Sequence, residues 1–414
     1  MRNSGTGYTD DRSEAGRGNL CPPFQKYLVL FLTVFGCILA LGLCVLWLRP
    51  DPGRDEAASA PLVESIQKIQ PPVIENKEPA SVSEETALTS EEPVMEEDLP
   101  VTLTFGGDIL FDPGYAVMSK IKQRGGGIEG SVSSELLEIL RSSDISVVNN
   151  EFPYSRRGFP TEGKTFTFRA DPASAGLLTE MGVDLVTLAN NHAYDYGPEA
   201  LTDTFQALTD QGITYIGAGV DSDEAWASAR YEIRGNRISL LSATQIERLS
   251  NPDTREATSS SPGVFRCLDD KKLLARIREE RDEGYFVIVC VHWGTENEEP
   301  IDWLQQKQAP EMAEAGAGLI IGCHPHILQA VGKIGNTPVF YSLGNFLFNS
   351  KTLDSCLVRV EIKDGVLVSA RLIPCIQQGS SVFMAGEGDR NRIIGHLNQL
   401  SGGAYLDGEG FLIP

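Results

Sequence analysis

From residue 101 onward, short β-prone runs alternate with helical stretches, and this alternation constrains the fold more than any other feature of the chain. The runs VTLTF, ISVVN, DLVTLA, ITYIG, RISLLSA, YFVIVCVHW, AGLIIG and TPVFYSL read as strands, separated by helical stretches at 133–141, 172–181, 198–211, 269–283 and 303–315. Strands that alternate with helices build an α/β domain around a largely parallel sheet. Two later runs, CLVRVEIK and VLVSARLI, flank Asp364-Gly365 and predict a hairpin. No internal repeat is evident.

The residues at the strand ends carry the chemistry. In open α/β sheets the crevice at the carboxyl ends of strands is where sites are built. Successive apolar runs end in GGD (Asp108), NNE (Glu151), ANNH (Asn191, His192), VHWG (His292) and GCHPH (His324, His326), which places four of the five histidines at strand ends. One histidine alone would most simply be structural; five of the eight strand ends delivering carboxylate, amide and imidazole point to a site. A donor set without thiolate suits Mn, Zn or Fe at an open hydrolytic centre better than a closed structural zinc. Around it, Asn190 reads as a turn and capping residue, Asp195 as a carboxylate that orients a ligand histidine, and Tyr196-Gly197 as the entry to a helix at Pro198. Arg169 in FTFRADP is either a bidentate contact for an anionic substrate or a surface ion pair. In YSLGNF, Gly344 suggests close backbone approach and Asn345 a site-facing amide that touches substrate, or else a plain strand-end turn. The polar loop 245–263 is long enough for a lid, or is a surface insertion.

Upstream, residues 27–48 carry no charge and lie between Lys26 and Arg49. At ~1.5 Å per residue such a helix spans a bilayer. The small-residue triplet Ala58-Ser59-Ala60 resembles a signal-peptidase site but lies well beyond the apolar stretch, so an uncleaved signal anchor is expected. Residues 1–26 then form a short cytoplasmic tail, and the bulk of the chain lies outside. Residues 49–100 are rich in Pro, Glu, Ser and Ala, with thirteen acidic residues against three basic ones between 51 and 100. That composition cannot bury enough apolar area to offset ordering, so it predicts an extended, disordered tether. The formal net charge of −22 argues against a phosphate-backbone binder and hence against nucleic acid. Cys267, Cys290, Cys323, Cys356 and Cys375 lack any C-x-x-C spacing and suggest neither a zinc knuckle nor a redox pair.

The motifs FGGDIL, FTFRADP, LANNHAYDYG, VHWGTE, GCHPHILQ and YSLGNFLF, in this order, resemble the CapA family of poly-γ-glutamate capsule biosynthesis proteins, a branch of the calcineurin-like metallophosphoesterases. The resemblance covers roughly residues 101–375. It implies a four-layer α/β/β/α sandwich over 101–380, with 381–414 as a C-terminal extension, and a single-pass membrane protein that accompanies the poly-γ-glutamate synthase and exporter and meets an anionic polymer. It also implies roles: Asp108, Glu151, Asn191, His292, His324 and His326 as ligands of one or two divalent ions, Glu151 standing where the superfamily usually has a bridging Asp, and His192 as the acid. In that case metal-activated water attacks while His192 serves the leaving oxygen. One departure stands out: the usual Asp-x-His of the first motif has Leu110 in place of the histidine. A single ion, recruitment of Asp112 or Glu296, or a different metal would each accommodate it. Two readings follow, an extracytoplasmic metal-dependent hydrolase and a non-catalytic accessory of polymer synthesis; the resemblance favours a role in poly-γ-glutamate or related capsule biosynthesis and leaves open whether the centre is catalytic.

Overall fold

In chain order the strands are β1 (Val101–Ile109), β2 (Ile145–Asn150), β3 (Leu185–Thr187), β4 (Thr214–Ile216), β5 (Ala218–Gly219), β6 (Ala229–Ile233), β7 (Asn236–Thr244) and β8 (Gly263–Val264). They continue with β9 (Phe286–His292), β10 (Ala317–Cys323), β11 (Val331–Ile334), β12 (Thr337–Phe340), β13 (Asn345–Leu347), β14 (Leu353–Lys363), β15 (Val366–Gln378) and β16 (Ser381–Met384). The computed structural model describes residues 98–247, 254–403 and 405–413. The expected tail, membrane anchor and nearly all of the acidic tether lie outside the described residues. Among those described, no helix is long and apolar enough to cross a membrane.

Two sheets organise the domain. One runs β16-β15-β14-β1-β2-β3-β4 with β13 beside β1, and the other runs β11-β12-β10-β9-β7-β6; β5 and β8 make a small ribbon. β1 to β4 are parallel, as are β7, β9, β10 and β12. The α/β expectation therefore holds, with antiparallel β14 to β16 added at one edge. The hairpin about Asp364-Gly365 forms as expected, with φ of 54° and 73° at the two turn residues, the left-handed pair that a tight two-residue turn requires.

Alternation along the strands sorts side chains between layers. Leu103, Phe105, Val147, Leu240, Ile288, Ile321 and Val358 meet in one core between the sheets. Val148 and Val186 face the opposite way, onto Leu137, Leu178, Leu201 and Leu208 of the covering helices. On the far side, Leu241, Val289 and Ile320 meet Leu273, Ile277 and Met312 of the helices Lys271–Asp282 and Trp303–Ala315. The order is helices, sheet, sheet, helices. Burial of both sheets on both faces explains why the central strands are near-continuous apolar runs. The helix Trp303–Ala315 starts at a capping box, with Asp302 accepting from Leu304 N and Gln305 N and Gln305 returning the bond to Asp302 N.

The residues after 380, read as an extension, contribute the edge strand β16 and the helix Glu387–Leu400, whose Ile393, Ile394 and Leu397 enter the core between the sheets. That helix, the helix Ala116–Gln123 and the short strands β6, β11 and β13 had no clear sequence pattern of their own.

Candidate metal centre

The strand ends of the two sheets open onto one seam. From the first sheet come Asp108 near the end of β1, Glu151 directly after β2, Asn191 and His192 just past β3, and Asn345 at the start of β13. From the second come His292, the last residue of β9, and His324 and His326 just past β10.

Close backbone approach sets this arrangement. A Cβ on Gly107 would lie 1.9 Å from the Gly344 carbonyl oxygen, so only glycine lets β1 run against the Gly344 turn. Asp108 N donates to that same carbonyl at 3.0 Å, and Asp108 pairs in register with Asn345. His324 and His326 adopt φ of 103° and 60°, a conformation that costs non-glycine residues on the order of 1–3 kcal/mol and gathers at functional sites.

The side chains then converge. Glu151, His292 and His324 form one group of potential metal donors, and Asp108, Glu151 and His326 form a second; within each, the donor atoms lie within 4.8 Å of one another. Glu151 belongs to both. His324 Nδ1 lies 3.1 Å from His292 Nε2, which in turn is 2.8 Å from Asn191 Oδ1. His326 Nδ1 lies 3.2 Å from Asp108 Oδ2 and 2.9 Å from Asn345 Oδ1. Glu151 Oε1 stands 3.4 Å from His292 Nε2 and 3.9 Å from His192 Nε2, and Oε2 stands 4.0 Å from His326 Nδ1.

Glu151 is fully buried, and among the described residues neither of its carboxylate oxygens has a hydrogen-bond donor. A buried carboxylate costs several kcal/mol unless it is paired or bound to a metal. Burial works against its charge, yet the imidazoles of His326, His292 and His192 outweigh that and hold the carboxyl below the usual carboxylate range. Burial likewise opposes a charge on His326, but Glu151 and Asp108 push it up to about 9. His324, buried and facing His292, is held well below the ordinary imidazole value and stays neutral, the form that binds metal. A buried carboxylate faced by imidazoles at 3.4 to 4.0 Å fits a divalent cation that takes the place of the proton on His326.

His192 is held separately. Its Nδ1 lies 2.7 Å from Asp195 Oδ2, Phe168 N donates to the same oxygen at 2.7 Å, and Lys164 Nζ donates to Asp195 Oδ1 at 2.6 Å. Lys164 also donates to the Asn191 carbonyl, and the Phe168 ring covers the imidazole at 4.2 Å between centroids. Asp195 thus orients His192 and touches none of the histidines in the two donor groups. Asn190 fills the turn role read from the sequence: its Oδ1 accepts from His192 N at 3.1 Å, and its Nδ2 donates to the Asn150 carbonyl at 2.9 Å.

Several residues lie apart from the cluster. Arg169 stacks over Tyr196 at 4.1 Å and donates to the Arg157 carbonyl at 3.0 Å. Asp112 is committed to Gly114 N and Arg169 N, at 2.7 and 2.6 Å, and Glu296 is exposed beside Asn297, so neither enters a donor group. Leu110 is fully buried in the helix-side core with Phe111. The root of the 245–263 loop is tied to the centre's edge, Gln245 N donating to the His292 carbonyl at 2.9 Å; residues 248–253 lie outside the described residues. The five described cysteines are free and buried; burial pushes the Cys290 thiol up to about 12, in keeping with a small hydrophobe.

Two residues escaped the sequence reading. Asn149 Nδ2 donates to Asp108 Oδ1 at 2.7 Å and lies 3.3 Å from His292 Nδ1, tying one residue from each sheet. The only hint was a polar residue inside an apolar strand. Lys164 sits in a polar loop with no periodicity, and nothing local distinguishes it.

With this geometry in hand, comparisons with known proteins give one answer. Residues 102–350 match the family model described as bacterial capsule synthesis protein PGA_cap. The chain is similar to the PGA biosynthesis protein CapA of Bacillus subtilis (strain 168), with 30% identity over 268 residues, covering 64% of this chain and 68% of that protein. It is similar to the capsule biosynthesis protein CapA of Bacillus anthracis at 29% identity over 314 residues, covering 73% and 74%. A probable polyglutamine synthesis accessory protein of Mycobacterium tuberculosis is 25% identical over 265 residues, covering 58% and 68%.

Proposed function

Because this chain belongs to the bacterial capsule synthesis protein family PGA_cap, we propose that it serves the biosynthesis of a capsule polymer, poly-γ-glutamate or a close relative, through a metallophosphoesterase-like divalent-metal centre. The observation that carries the metal reading is Glu151, a buried carboxylate without a hydrogen-bond partner among the described residues and shared by two donor groups. Glu151, Asn191, His292 and His324 would hold one ion, and Asp108, Glu151 and His326 the other. Ions bound there supply Lewis acidity, charge screening for an anionic substrate and a lowered pKa for water.

The chain's own acid in this reading is His192. Its Nδ1 is taken up by Asp195, which leaves Nε2, on the Glu151 side, as the nitrogen that carries a proton to a departing oxygen. Arg169 would meet the anionic substrate after releasing the Arg157 carbonyl. The charge-free stretch 27–48 supports a single-pass anchor with the N-terminus inside and the domain outside, reached through the acidic tether, where synthase and export subunits would be its partners.

One observation favours a non-catalytic accessory: the buried apolar Leu110 where the superfamily has a histidine ligand. A hydrolase of another envelope substrate is the remaining alternative. The full-length protein in detergent, assayed for bound metal and for hydrolysis of bis(para-nitrophenyl) phosphate, separates them with His192→Ala and His324→Ala. Hydrolysis lost by at least ~100-fold in His192→Ala with metal retained supports the enzyme. Metal without turnover in the wild type supports the accessory, and a wild type without metal overturns the centre.

A further inference from the structure

The two donor groups are unequal. The first has Glu151, two imidazoles and the amide oxygen of Asn191, four protein donors in all. The second has Asp108, Glu151 and His326, and the residue two positions beyond Asp108, Leu110, is buried among helix-side apolar residues. Its backbone N–H is spent on the Leu347 carbonyl at 3.0 Å, which ties that part of β1 to β13.

β13 is the strand that begins at Asn345. We propose that Asn345 Oδ1 is the missing protein donor of the Asp108–Glu151–His326 position, so that each ion is held by one amide oxygen besides carboxylate and imidazole. This assignment rests on the metal-centre reading above and replaces a substrate-contacting role for Asn345.

Two independent observations point the same way. Asn345 is fully buried and in register with Asp108, so its place is fixed by the β1–β13 pairing and not by a mobile loop. Its Oδ1 is 2.9 Å from His326 Nδ1, the same atom that lies 3.2 Å from Asp108 Oδ2, so the three donor atoms surround one point. The resulting set, two carboxylates, an amide oxygen and one imidazole, is harder than the two-imidazole set opposite. It therefore discriminates less against Mn²⁺ relative to Zn²⁺ than the two-imidazole position does.

The test is titration of the metal-stripped full-length protein with Mn²⁺, read by equilibrium metal content and by the electron paramagnetic resonance of paired manganese. The wild type is expected to take two ions per chain with a spin-coupled signal. Asn345→Ala is expected to keep the first ion with unchanged affinity, which shows that it is folded, and to bind the second at least ~10-fold more weakly. Asn345→Asp, which restores an oxygen donor and adds charge, is expected to regain the second ion and the coupled signal. Two ions of unchanged affinity in Asn345→Ala, or a single ion in the wild type, overturn this proposal while leaving the metal centre intact. No ion in the wild type overturns both.

Discussion

The two sheets bring opposite chemistry to one seam. The sheet built on β1 to β4 supplies carboxylates and amides, Asp108, Glu151, Asn191 and Asn345, while the sheet built on β7, β9 and β10 supplies the imidazoles of His292, His324 and His326. Neither half makes a metal site alone. The apolar core between the sheets is what aligns them, and the buried charge of Glu151 faces histidines from across that core. The lesson is that packing energy positions the chemistry: a centre assembled across a sheet interface has the rigidity of the interface. His192 is the exception, an imidazole from the carboxylate side, held by its own Asp195–Lys164 support.

The contrast is broken most severely by removing a donor from one side only. In His324→Ala the ion of the Glu151–His292–His324 group is expected to be lost, its affinity falling more than ~100-fold, while Asp108→Ala is expected to lose the other ion to a similar degree. Metal content of each variant checks this; loss of both ions from either single change would mean that the two positions do not fill independently.

Asn149 tests the link between the sheets. Asn149→Leu removes the contacts to Asp108 and to His292 together and is expected to weaken both ions by about 10- to 100-fold, which calorimetric titration resolves. A milder change reaches His192 and the Asn191 backbone and leaves the other donors untouched. Lys164→Met leaves every proposed ligand in place but frees Asp195 from its ammonium partner, and hydrolysis is expected to fall about 10-fold with metal content unchanged.

The smallest effect on the centre comes from a charge far from the seam. Glu280, with a fully buried side chain, pairs with Arg230 and Arg276 at 2.9 and 2.7 Å. Burial raises its pKa, but the hydrogen bonds from Arg230 and Ser228 outweigh burial and leave it lowered. A lowered carboxylate stabilises the fold above its unfolded value of about 4.3 and loses that contribution as pH falls through the folded value. Glu280→Gln is expected to cost about 2 kcal/mol at pH 7, less than the ~3–5 of a fully buried pair because Arg230 is 38% exposed, and to cost progressively less below about pH 4. Thermal melts across pH check the sign, and metal content stays at the wild-type level.

How much of this was legible depended on range. Strand ends are local events, an apolar run stopped by a polar residue, so Asp108, Glu151, Asn191, His192, His292, His324 and His326 were all visible as candidates. The pairing of β1 with β13 is not local, since it joins Asp108 to a residue 237 positions later through a two-glycine contact, and so Asn345 read as a strand-end amide facing substrate. Lys164 and Asn149 escaped for the same reason: their meaning lies in partners that only folding brings near. The helix Glu387–Leu400 was hidden by Gly388 and Gly395 within it and by only three buried residues, Ile393, Ile394 and Leu397.

Divalent-metal content of the full-length protein, wild type beside Glu151→Gln, tests the central claim most directly. Two ions per chain are expected in the wild type and neither in Glu151→Gln, with a circular dichroism spectrum that matches the wild type and so shows a folded variant. A wild type that binds no metal, or a Glu151→Gln that binds as well as the wild type, would contradict it.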